Sequence, residues 1–136
     1  MPETTQKLEG LWQMVRAELD GEEAPELVAQ RTQLEFTTGE YVVSFDGQII
    51  DCGLFTTEVT GDTMILTLYG KSGPNAGRII PCIYQQVGER LRICYGLSGI
   101  APPSFSTTGL RQSYLATYRR TQKITPSSPD PMAPTD

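Results

Sequence analysis

The sequence contains no histidine. That absence removes the commonest general base, the usual activator of a Ser or Cys nucleophile and the commonest zinc ligand. An enzyme built on this chain would have only carboxylates, Lys, Tyr and Cys to work with. Cysteine is scarce: Cys52, Cys82 and Cys94 are widely spaced, with no C-x-x-C pair for zinc or thiol exchange. An odd count in one domain points to buried free thiols in a reducing compartment. Only a hairpin loop one residue longer than the one read below would set Cys82 directly opposite Cys94.

Long apolar runs are missing as well. No stretch approaches the roughly 20 residues of a membrane-spanning helix, so no membrane span is expected. The opening MPETTQKLEG has neither the basic start nor the apolar stretch of a secretory leader, so the expected compartment is the cytoplasm. There is no block of Lys and Arg: 11 basic residues stand against 16 acidic ones, for a net charge of −5. An acidic surface repels phosphate backbones, which excludes nucleic acid as an expected partner. Arg90, Arg92, Arg111, Arg119 and Arg120 form a local thickening, read as polar ends and outer faces of strands.

What is present is a β pattern. A chain of 136 residues suits one domain. Residues 78–87 and 90–95 are β-rich runs split by Gly88-Glu89, the signature of a type II′ hairpin. Leu91, Ile93 and Tyr95 alternate with Arg90, Arg92 and Cys94, so one face is buried and one is wet. Further strands are expected over residues 7–19, 32–37, 41–45, 48–59, 63–69 and 111–120, with Asp20-Gly21, Asp46-Gly47 and Gly61-Asp62 as turns. Leu34 with Phe36, then Tyr41, Val43 and Phe45, then Met64, Leu66 and Leu68 each share one face. Gly53 predicts a bulge or bend, and Pro81 a bulge or an outward position. A short helix is expected within residues 22–31, with Pro25 in its first turn and Leu27 and Val28 placed to cover an opening.

Residues 1–6 are polar and expected to be disordered, residues 7–120 form the domain, and residues 121–136 are a Pro/Ser-rich tail with little to bury. About eight strands with short connections, and no helix long enough for a parallel crossover, predict an all-β, antiparallel fold. Sequential hairpin signals favour an up-and-down barrel over a sandwich, with one short helix after the first strand.

The first and last strands carry a resemblance. Gly10-Leu11-Trp12 is a G-x-W pattern, and the blocks GLWQMVRAELDG, GPNAGRIIPCIY, GERLRICYG, APPSF and YRR follow in order. By these blocks, over residues 8–120, the chain resembles the planctomycetal, hence bacterial, family of uncharacterised lipocalin-like (calycin) domains. In such barrels the tryptophan plugs the closed end and an arginine of the final strand packs across it. The resemblance therefore implies barrel closure by Gly10, Trp12 and an arginine. Arg119 is expected there because it shares alternation parity with Leu115, and Arg120 is the second choice. A guanidinium over an indole is worth about 0.5–2 kcal/mol. The chain departs from the family at Ala101, where arginine is usual before proline, at Cys82 in place of glycine, and at Glu89 in place of a turn aspartate. The missing arginine argues against an anion site in that loop. The resemblance implies a fold, and a fold does not imply a function.

Inward candidates by alternation are Trp12, Met14, Leu34, Phe36, Tyr84, Ile93 and Tyr95, with Arg16 and Glu18 continuing the parity of Trp12 to the open mouth. Two readings stay open. In one, the barrel binds a small apolar molecule through Arg16, Glu18, Phe36, Tyr84 and Tyr95. In the other, the interior is filled and the protein is an interaction or accessory module, docking a protein partner through the long loop at residues 96–110. Asp46, Asp51, Glu58 and Asp62 show no spacing that demands acid–base work, and Ser104-Phe105-Ser106 has no base partner. No catalytic residue, metal ligand or cofactor is assigned, and a non-enzymatic protein is expected. An enclosed volume would separate the two readings.

Overall fold

Two-residue turns make most of the connections between neighbouring strands. In a computed structural model, residues 8–105 and 113–122 are described. Residues 1–7, whose first six are expected from the sequence to be disordered, residues 106–112 of the long loop and the tail beyond residue 122 lie outside the described residues. The elements are β1 (Gly10–Leu19), β2 (Glu22–Glu23), α1 (Glu26–Gln30), β3 (Thr32–Thr37), β4 (Glu40–Phe45), β5 (Gln48–Thr60), β6 (Thr63–Ser72), β7 (Ile79–Val87), β8 (Arg90–Gly96) and β9 (Ser113–Gln122). Val87 pairs with Arg90 across Gly88-Glu89, and Gly88 takes the positive φ of 60° that the first position of a type II′ turn requires. Phe45 pairs with Gln48, and Thr60 with Thr63, across the other short turns.

From β3 to β9 each strand pairs antiparallel with the next, and β1 pairs with both β3 and β9. The result is a closed eight-stranded up-and-down barrel with no exposed sheet edge among those strands. The two-residue β2 adds only to the end of β1. The expected short helix follows the first strand. It lies against β1 because the Gln13 amide nitrogen is within 3.0 Å of the Ala29 and Gln30 carbonyls and 3.1 Å of the Thr32 carbonyl. Alternation along each strand sends Leu34, Phe36, Leu66, Leu68, Leu91 and Ile93 into the interior.

Cys82 lies opposite Tyr95, and Ile83 opposite Cys94, so the hairpin loop has the expected length and the two thiols do not face each other. None of the three cysteines is in a disulfide.

One end of the barrel is sealed. Trp12 is fully buried and its indole nitrogen donates to the Leu8 carbonyl at 2.8 Å. The guanidinium on the indole face is that of Arg120, 4.3 Å from the ring centroid, and not that of Arg119. Arg120 stands directly opposite Trp12 in the ladder, donates to the Glu9 carbonyl and pairs with Glu89 at 3.1 Å. Arg119 is exposed on the outer face. The parity assigned through Leu115 is therefore corrected. Leu115 and Ala116 are both apolar, so hydrophobicity does not choose between them. The fully buried Ala116 faces in because the fully buried Ile93 lies opposite it and leaves room for only a small side chain.

Arg16 and Glu18 are also corrected. The pairing of β1 with β9 steps from Met14–Tyr118 to Arg16–Thr117, so Val15 is an extra residue. This bulge reverses the alternation beyond it. Ala17 and Leu19 turn inward, and Arg16 and Glu18 turn out. Arg16 lies 3.8 Å from Glu23 with about 60% of both side chains exposed, a pairing worth little.

Trp12→Ala is expected to lower stability by about 3–5 kcal/mol, read from the urea midpoint. Arg120→Ala should lower the midpoint clearly, whereas Arg119→Ala should stay within about 0.5 kcal/mol of the parent. Equal midpoints for the two arginine variants would contradict the assigned seal.

Candidate ligand cavity

At the end opposite Trp12 the interior is open. A cavity of about 460 Å³ runs from the middle of the barrel to this mouth. Its floor and walls are side chains that alternation turns inward: Leu34 and Phe36 from β3, Tyr41, Val43 and Phe45 from β4, and Leu66 and Leu68 from β6. The mouth is rimmed by Leu19, Val28 and Ile50, which are 45%, 37% and 46% exposed. Val28 is the helix residue expected to cover an opening, and it reaches the rim; Leu27 does not line the cavity. The cavity is the enclosed volume that the ligand-binding reading asks for.

The expected ligand residues divide. Phe36 and Tyr95 line the cavity. Tyr84 is buried but packs in the core, outside the cavity wall, with its hydroxyl near that of Thr57. Arg16 and Glu18 are absent from the wall, and Arg16 instead borders a shallow groove between β1 and α1. Within the long loop, Leu97 reaches the cavity, while Phe105 lies outside the barrel with the Arg92 guanidinium 4.0 Å from its ring centroid.

The polar part of the wall comes from residues the sequence pattern did not single out as ligand contacts. Counting by twos along β5 from Gln48, opposite Phe45, would point Ile50 inward. The ladder instead steps from Ser44–Ile49 to Val43–Asp51, so a bulge gives that position to Asp51. Asp51 is only 7% exposed. Its Oδ2 accepts a 2.6 Å hydrogen bond from the Asn75 amide. Asn75 in turn accepts from Arg78 at 3.1 Å, and the other arm of that guanidinium donates to the Leu97 carbonyl. The second carboxylate oxygen, Oδ1, has no hydrogen-bond partner within the protein.

Tyr41 is two residues along the neighbouring strand from Val43, on the same inner face as Asp51. It is 1% exposed and its hydroxyl also lacks a partner. The ring lies over Gly53, where the register shifts again and where a Cβ would stand 2.9 Å from the ring edge. Glycine is required there by close approach rather than by a turn. Burial, reinforced by the nearby Asp51 charge, pushes the Tyr41 phenol up to about 12. Across the cavity the hydroxyls of Tyr95 and Tyr118 satisfy each other at 2.7 Å, and burial raises both. Burial also raises Tyr84 to about 12.

Among the described residues no group of three His, Cys, Asp or Glu is placed to hold a metal, and no helix is long and apolar enough to cross a membrane. Comparisons with protein-family models, curated proteins and solved structures found no match.

The phenols give a pH signature. In the unfolded chain Tyr41 and Tyr84 ionise near 10.0, and in the fold near 12. Between those values the unfolded state holds fewer protons, so stability falls as pH rises through that window. Urea midpoints measured across it should decline, and Tyr41→Phe should make the decline shallower. Because the Tyr41 hydroxyl is buried without a partner, the same variant should be as stable as the parent at neutral pH, or more stable by about 1 kcal/mol.

Proposed function

We propose that this chain is a lipocalin-like binding protein that holds one small, largely apolar molecule inside its barrel. The observation that carries the reading is the cavity of about 460 Å³, closed at the Trp12 end and open at the other. Pockets for small molecules usually enclose roughly 300–1,000 Å³, with apolar walls and few polar groups. Eight-stranded barrels are wide enough for one such guest. The wall is largely aromatic and aliphatic, with Asp51, Asn75 and Arg78 as its charged and amide groups. The G-x-W pattern at Gly10–Trp12 and the guanidinium on the indole agree with the lipocalin-like assignment. The reading requires no catalytic step, and none is assigned.

Native mass spectrometry of the purified protein tests for a guest as added mass. Titration with a fluorescent apolar probe tests for a saturable site. One probe per chain is expected, with loss of at least about tenfold in affinity in Val43→Trp, whose indole would occupy the cavity while the fold is kept. Absence of saturable binding to the parent protein, or equal binding by the two, would overturn the proposal.

A further inference from the structure

We infer that the guest carries an amine at its polar end, and that Asp51 Oδ1, with the Tyr41 hydroxyl beside it, is the site that receives it. The inference rests on the barrel being a binding protein and goes on to name the chemistry of the ligand.

Among the described residues three buried side-chain oxygens lack a hydrogen-bond partner: Asp51 Oδ1, the Tyr41 hydroxyl and the Tyr84 hydroxyl, of which the first two belong to residues of the cavity wall on one inner face and the third lies outside it. Asp51 and Tyr41 are more than nine-tenths buried, and both border the cavity. A buried oxygen without a hydrogen bond is costly, and a carboxylate oxygen more so. The unpaired Oδ1 accepts and cannot donate in its ionised form, so it calls for a donor on the guest. The partner at Oδ2 is the neutral Asn75 amide, so no cation within the cavity wall contacts the carboxylate directly.

The charge balance of the wall selects among donors. Asp51 repels a carboxylate or phosphate guest. Arg78, the one basic residue of the wall, has its guanidinium committed to Asn75 and to the Leu97 carbonyl. An ammonium group gains from both features of the site. It would donate a charge-assisted hydrogen bond to Oδ1, in a cavity whose wall also carries the aromatic side chains of Phe36, Tyr41 and Phe45. An alcohol can donate to Oδ1 but gains neither charge term. The Tyr41 hydroxyl can accept a second N–H of the same ammonium.

Three compounds with one tail separate these cases: phenylbutylamine, phenylbutanol and phenylbutyrate, each titrated calorimetrically into the parent protein. The amine should bind at least about tenfold more tightly than the alcohol, and the carboxylate most weakly. Asp51→Asn should reduce amine affinity by about tenfold or more and leave the alcohol within about threefold. Tyr41→Phe, which keeps the ring, should weaken the amine selectively and to a smaller extent. Urea midpoints establish that each variant is folded, and Asp51→Ser serves if the asparagine variant is not.

Equal affinity for amine and alcohol, tightest binding of the carboxylate, or an amine preference that survives Asp51→Asn would overturn the amine inference. Saturable alcohol or carboxylate binding would leave the apolar-guest proposal standing in those cases. Failure of all three compounds and of the fluorescent probe would overturn both.

Discussion

The stack of Arg120 on Trp12 is the interaction on which the rest of the molecule depends. A closed barrel of eight strands has two ends, and what happens at each decides whether the inside is a core or a container. Here one end is occupied by a fully buried indole, fixed at its nitrogen by the Leu8 carbonyl and covered by a guanidinium. That guanidinium is held in turn by Glu89 in the β7–β8 turn and by the Glu9 carbonyl. The seal thus ties three places far apart in sequence: the start of the first strand, the turn of the central hairpin and the last strand. With the indole and its guanidinium stopping that end, the opposite half of the tube can stay open without loss of closure.

The wall of the open half is not wholly apolar. Leu91 and Ile93 are buried apolar residues in regular alternation. Asp51 and Tyr41 are buried polar residues with unsatisfied atoms, beside two irregularities of the ladder. Each unsatisfied group costs about 1–3 kcal/mol, and a fold with no use for the space could fill it with leucine. Local conflicts of this kind gather at functional sites, where a preorganised polar surface matters more than stability. The glycines fit the same account. Gly53 admits the Tyr41 ring, and Gly73, at φ 90°, lets the β6–β7 loop pack against Asp51 and carry Asn75 to it.

Most of the architecture was legible because its signals are local. Turn dipeptides at Asp46-Gly47 and Gly88-Glu89, and strict alternation in β3, β4, β6 and β8, define strands, register and antiparallel order. What was misread lies downstream of bulges or on a strand with two apolar faces. The extra residue at Val15 turns Arg16 and Glu18 away from the mouth, and nothing in the run MVRAEL marks it. In β9, Leu115 and Ala116 compete for the interior, and only cross-strand packing against Ile93 decides between them. The same blindness hid the polar side of the cavity. Ile50 is the residue that alternation sends inward, and the bulge substitutes Asp51, whose partner Asn75 sits in the loop KSGPNAG. Bulges arise from ladder geometry between strands, so a single strand read alone does not reveal them.

The mouth joins these threads. Its rim is assembled from pieces that the barrel itself does not require: the helix that carries Val28, the β6–β7 loop and the start of the β8–β9 loop. Each is attached by a side chain with no role in the core. Gln13, facing outward on β1, gathers the last two carbonyls of α1 and that of Thr32. Arg78 bridges the two loops through Asn75 and the Leu97 carbonyl. The bridge also explains why the one cation near the cavity does not neutralise Asp51: its donors hold the rim together. A positively charged guest then adds the partner that the wall omits, while its tail takes the apolar space. The seal at one end and the strapped rim at the other are therefore parts of one arrangement, a fixed tube whose cavity wall includes the two residues, Asp51 and Tyr41, that carry unpartnered buried oxygens.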